Sequence, residues 1–139
     1  VTGYTCQLVE IARLRPTEMV DAAHVRALAG EMRRDGIQRR PVLVERGSLA
    51  ILDGHHRFRA AQMLGLSRVS AVLIGYDDPR LTLSSWTDRA FTREDVHAAA
   101  ESGVLLPAKS TRHLLDPPLP EMPVSVKELE GRGGERAGA

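Results

Sequence analysis

The seven residues Ile51-Leu52-Asp53-Gly54-His55-His56-Arg57 constrain this chain more than any other stretch. An apolar run of strand character meets a segment of helical character, with one glycine between them. Glycine lets the backbone turn sharply. The first amides of the following helix have no intrahelical acceptor, so they point at whatever sits above the carboxyl end of the strand, and they favour an anion. His55, His56 and Arg57 add hydrogen-bonding and cationic groups to the same spot. Asp53 adds a carboxylate that repels a phosphate unless a metal ion or a proton lies between them. A phosphate accompanied by Mg²⁺ accounts for all of these residues. The competing reading is a plain structural corner with two polar histidines at a helix start.

The flanking segments set the fold class. Leu8, Ile11 and Leu14 predict a first strand within residues 7–14, ending before Arg15-Pro16. Val25, Leu28, Ala29 and Met32 follow the i, i+3, i+4, i+7 pattern of a helix that Gly36 closes. Short apolar runs at 41–44 and 49–52, separated by Glu45-Arg46-Gly47-Ser48, predict two strands joined by a tight turn, the second delivering Asp53. Phe58, Ala61 and Leu64 continue the helix after the turn until Gly65, and residues 69–74 form a further strand that Asp77-Asp78-Pro79 breaks. Leu81 to Trp86 leads into a polar stretch. A last helix starts at Thr92, with Asp95 three positions on as a capping partner, and stops at Gly103. A basic, hydroxyl-rich loop, Lys109-Ser110-Thr111-Arg112-His113, follows. The alternation of strands and helices gives an α+β domain with a small mixed sheet, expected to occupy 1–115. From Asp116 the prolines multiply, and the glycine-, alanine- and charge-rich residues 131–139 are expected to be disordered.

At 139 residues with 42% hydrophobic content the chain suits one domain with a real core. A net charge of +1 gives no broad basic field for a nucleic acid backbone. The single Cys6 excludes an intrachain disulfide framework and a cysteine zinc site. No apolar stretch approaches the roughly 20 residues that span a bilayer, and no basic-then-apolar leader opens the sequence. A soluble cytoplasmic protein is expected.

Pro16-Thr17-Glu18-Met19, the Asp53 to Arg57 turn, Trp86 and the Lys109 to His113 loop together resemble, in the same order, the motifs of the free L-serine kinases of the ParB/sulfiredoxin superfamily. The resemblance spans roughly Leu8 to Leu115. The central turn points to the superfamily at large; the Lys-x-Thr-Arg-His loop is the piece that resembles the kinases in particular. The chain looks like a compact member, without the long insertion that the archaeal kinases carry after the tryptophan segment. The resemblance implies a ParB/sulfiredoxin-like fold and transfer of a phosphoryl group from ATP or ADP, with Mg²⁺, to free L-serine or a similar hydroxy amino acid.

It also implies roles. Glu18 would orient the acceptor hydroxyl and take its proton, because a serine hydroxyl is a poor nucleophile at neutral pH. Asp53 would contact Mg²⁺ and His56 would assist catalysis, while Gly54, His55, His56 and Arg57 would cradle nucleotide phosphates. Trp86, Lys109, Ser110, Thr111, Arg112 and His113 would bind the substrate's carboxylate and phosphate. His24 and His97 sit on expected helix surfaces and receive no role; Arg39 and Arg40 fit a solvated turn. Two other uses of the same core compete. A nucleotide-gated DNA-associated module of ParB type would need a DNA-reading helical domain after the core, where this sequence has a proline-rich segment. A sulfiredoxin-like reductase would need a thiolate in the turn, where His55 stands. No membrane partner is expected, and a nucleic acid partner is disfavoured.

Overall fold

The computed structural model describes residues 3–130; the disorder expected for 131–139 lies outside them. A four-stranded mixed sheet in the order β1-β5-β3-β4 forms the centre, built from β1 (Cys6–Glu10), β3 (Val42–Glu45), β4 (Ile51–Asp53) and β5 (Arg68–Ile74). β5 runs antiparallel to β1 and parallel to β3, and β3 and β4 make the hairpin expected from the 45–48 turn.

Both faces of the sheet are covered, and strand alternation divides the core accordingly. Val42, Val44, Ile51, Val69 and Ala71 face one apolar cluster with Val25, Ala29, Met32 and Phe58, which belong to α1 (Ala22–Asp35) and α2 (His55–Met63). Leu43, Leu52, Val72 and Ile74 face a second cluster with Leu81 and Val96, from β6 (Leu81–Ser85) and α3 (Arg93–Ser102). The result is an α+β fold, a small mixed sheet flanked by helices. Among the described residues no helix is long and apolar enough to cross a membrane.

The helix ends follow local chemistry. Asp21 caps α1 by accepting from the Ala23 and His24 amides, and Gly36 closes it at φ +71°. Thr92 and Asp95 make the expected capping box of α3.

Three features depart from expectation. The first strand stops at Glu10, and Ile11–Arg13 form a 3₁₀ turn; the buried Ile11 and Leu14 are spaced by the three residues of that turn, a period the strand reading absorbed. The expected loop 109–113 is a loop only through Ser110. From Thr111 it is strand β7 (Thr111–Leu115), antiparallel to β6. Finally, residues 116–130 return to the body of the domain. β8 (Val124–Ser125) pairs with β2 (Ile37–Gln38), and α4 (Val126–Leu129) buries Leu129 completely in the first cluster. Gln38 is also fully buried: its amide donates to the Arg40 and Ser70 carbonyls at 2.8 and 2.9 Å and accepts from the Ser70 amide at 2.8 Å.

Candidate active site

A cavity of about 280 Å³ opens where β4 ends and α2 begins. Gly54 makes the corner at φ +93°, and a Cβ there would lie 3.2 Å from Arg57 Nη2 and 3.3 Å from Val42 Cα, so both conformation and space require glycine. No side chain caps this helix start, which leaves its first-turn amides for a ligand.

Glu18 forms the opposite wall. The 17–19 segment is stitched to Leu106, with Met19 donating to the Leu106 carbonyl and Leu106 to that of Thr17, both at 2.8 Å. This brings the loop before β7 against a carboxylate only 7% exposed. Glu18 Oε2 accepts from the Thr111 hydroxyl and Oε1 from the Ser110 amide at 3.4 Å. Burial raises the pKa of Glu18 from the ordinary carboxylate value, with the hydrogen bonds from Thr111 and Ser110 working in the opposite direction. Burial that raises a carboxylate's affinity for a proton suits it to accept one. Thr111→Val removes the strongest donor to the anion, so the acidic limb of a kcat/KM pH profile is expected to move to higher pH; an unmoved limb would mean that Glu18 is not the titrating base.

The histidines have different partners from those the sequence suggested. His55 Nε2 accepts from the Thr17 amide at 3.1 Å, while the Thr17 hydroxyl donates to the Ile51 carbonyl at 2.9 Å. Burial depresses the His55 pKa to about 3, so its ring is neutral and supplies no cation to a phosphate. His56 Nε2 accepts from the Asp21 amide at 3.0 Å, and its ring stacks on His24 with centroids 4.3 Å apart. Burial, then the charge of His24, lowers its pKa. Both side chains therefore lock the Thr17–Asp21 segment to α2, and both still line the cavity.

Arg57 is half-buried. Its Nη2 reaches the Pro41 carbonyl at 3.5 Å, and its Nε has no partner among the described residues. Burial lowers its pKa while Asp53 raises it. A buried donor left spare on a half-buried guanidinium fits an anionic ligand.

Asp53, Gly54, Arg57, Trp86, Lys109 and Thr111 line the same cavity as Glu18. Lys109 takes the left-handed conformation at φ +55°. Trp86 is 57% exposed.

The other expected substrate contacts lie elsewhere. The Ser110 hydroxyl donates to the Pro107 carbonyl at 2.6 Å. Along β7 alternate residues face opposite ways: Thr111 and His113 turn inward, and Arg112 turns out and places its guanidinium 4.2 Å from the Trp86 ring centroid. Ser110, Arg112 and His113 are therefore outside the cavity lining. Conversely, His24, Met19, Leu28 and Leu52 line the cavity without having been anticipated; the Asp21 cap places His24 in the first turn of α1, yet no spacing reveals which face it takes. Among the described residues no group of three or more His, Cys, Asp or Glu side chains is arranged to hold a metal.

Residues 3–85 match the ParB N-terminal domain, and the chain belongs to that family. Two curated relatives carry related sequence. It is 33% identical over 86 residues to a ParB-like protein of Sulfolobus acidocaldarius, covering 62% of this chain and 43% of the relative. It is 29% identical over 83 residues to the ATP-dependent L-serine kinase of Staphylothermus marinus, covering 57% of this chain and 33% of the relative. The matches thus span less than half the length of either relative. Among solved structures, a free serine kinase in complex with AMP superposes with a TM-score of 0.79 at 17% identity, covering 91% of this chain and 93% of that one.

Proposed function

We propose that this chain is a nucleotide-dependent kinase that phosphorylates the hydroxyl of free L-serine or a close hydroxy amino acid. The observation that carries the reading is the placement of a buried, hydrogen-bonded carboxylate, Glu18, across one cavity from an uncapped helix start with a half-buried arginine. The likeness in sequence to an ATP-dependent L-serine kinase and in fold to a free serine kinase that binds AMP supports it.

In this reading the donor's phosphates lie on the first-turn amides of α2 and on Arg57, and the acceptor's hydroxyl faces Glu18. Glu18 takes the hydroxyl proton as the oxygen bonds to the donor's terminal phosphorus, and the bond from that phosphorus to the bridging oxygen breaks, releasing the shortened nucleotide. Lys109 stabilises the charge of the transferring group, and Trp86 walls the acceptor side. ATP and ADP both fit these contacts as donor.

Asp53, on the cavity wall with Glu18, is the residue that would hold Mg²⁺, which suits an ion bound through one or two carboxylates and the substrate's phosphates rather than by a protein cage. Bound there, the ion would supply charge neutralisation for the phosphoryl oxygens. The family membership also favours a second reading, a ParB-type nucleotide-binding module without acceptor chemistry.

Calorimetry with ATP and ADP tests the nucleotide half of the proposal. Arg57→Ala is expected to weaken binding about 10- to 100-fold, the worth of a charge-assisted hydrogen bond. Unchanged affinity would reduce the Asp53 to Arg57 turn to a structural corner.

A further inference from the structure

Arg112 belongs to the same short motif as Thr111, yet it is absent from the cavity wall and the proposed reaction gives it no contact. β6 and β7 form a two-stranded ribbon in which Ser84 pairs with Arg112 and Ser85 with Thr111. Successive residues of a strand point to opposite faces. Thr111 therefore turns inward, where its hydroxyl donates to the Glu18 carboxylate, and Arg112 turns outward. Trp86 follows Ser85 at the end of the ribbon, and the Arg112 guanidinium carbon lies 4.2 Å from its ring centroid.

The backbone and the side chain of Trp86 are held differently. Its amide donates to the Ser110 carbonyl at 3.3 Å, and the Ser85 hydroxyl donates to the same carbonyl at 3.1 Å, so the backbone is tied to the turn that also meets Glu18. The side chain is more than half exposed although it lines the cavity with Glu18 and Lys109. Among the described residues no other ring stacks on it. Arg112 in turn makes no ion pair with a carboxylate among the described residues, which leaves its guanidinium to the indole. A planar, delocalised and weakly hydrated cation suits that contact better than an ammonium does.

We propose that Arg112 is a positioning residue that acts through Trp86: its guanidinium, lying against the indole, holds the ring at the edge of the cavity, so that a side chain outside the cavity builds its acceptor-side wall. The stacking stands on the geometry alone; its consequence for serine binding rests on the kinase reading.

Trp86 is the only tryptophan in the sequence, so intrinsic fluorescence reads this ring directly. In the ligand-free protein Arg112→Ala is expected to raise quenching by acrylamide and to lower the emission anisotropy, with Arg112→Lys falling between it and the wild type. Kinetics then separate action through the ring from contact with the substrate. Arg112→Ala is expected to raise the KM for L-serine about 2- to 5-fold, the worth of an exposed cation–π contact, with kcat and the Kd for ADP unchanged. In a Trp86→Ala background the same substitution is expected to raise KM no further. Quenching that rises at unchanged anisotropy describes a ring uncovered but not released, and overturns the inference. An equal rise in KM in both backgrounds also overturns it, by placing Arg112 on the substrate. If the wild-type protein makes no phosphorylated product, the kinase reading fails and the anisotropy alone decides whether Arg112 holds Trp86.

Discussion

Glu18→Gln is expected to lower kcat about 10²- to 10⁴-fold while leaving nucleotide affinity unchanged, since the carboxylate acts on the acceptor hydroxyl and not on the donor. Gln is close in shape, so the loss reports the proton acceptor rather than a cavity. The substitution also has a stability signature. Because burial raises the pKa of Glu18 in the folded state, between the unfolded and folded pKa values the folded protein holds a proton that the unfolded chain has already released. The stability this group contributes is complete below the unfolded pKa and is lost as pH rises through the folded one. Gln carries no such charge, so the Tm of the variant at neutral pH should equal or exceed that of the wild type. A kcat within a factor of two of wild type would remove Glu18 from the mechanism, and a collapse in Tm would mark it as a structural residue.

Leu129→Ala is expected to destabilise the protein by about 2–5 kcal/mol, the range for deleting a fully buried leucine whose site does not collapse. Its partners include the central strands: the Leu129 carbonyl accepts from the Ser67 amide at 3.1 Å just before β5, and its side chain joins the cluster under the sheet. Urea unfolding checks this. A loss below about 0.5 kcal/mol would show that residues 116–130 contribute no more than a surface strap.

Why Leu129 escaped the sequence reading is instructive. The features read correctly are local: Gly36 and Gly103 as helix stops, the Thr92–Asp95 box, and the strand-glycine-helix corner at Gly54 are each specified by residues within a few positions of one another. The return of 116–130 to the core is specified by β2 and β8, two-residue strands about ninety positions apart. Proline density there placed the segment outside the expected 1–115 domain, and Gln38 gave no sign of being core until its three hydrogen bonds to Arg40 and Ser70 were in place.

The candidate site divides in the same way. Glu18, Asp53, Gly54, Arg57 and Lys109 came to one cavity as the motifs suggested. The polar run at 109–113 carries no apolar alternation, so its switch to a strand at Thr111, which sends Arg112 to Trp86 and His113 to Tyr76, was not legible. Nor was the engagement of His55 and His56 by the amides of Thr17 and Asp21, because residue type cannot tell a ring that meets a ligand from one that meets a backbone amide.

The central claim is that this cavity transfers a phosphoryl group to a small hydroxyl compound. Phosphorus NMR of the purified protein with Mg²⁺, L-serine and, in turn, ATP, ADP or CTP tests it most directly. A phosphomonoester signal matching O-phospho-L-serine, appearing with ATP or ADP and absent in Glu18→Gln, is the predicted result. Nucleotide that binds without any phosphomonoester forming, across serine and a panel of other hydroxy amino acids, would contradict it and leave a nucleotide-binding member of the ParB family.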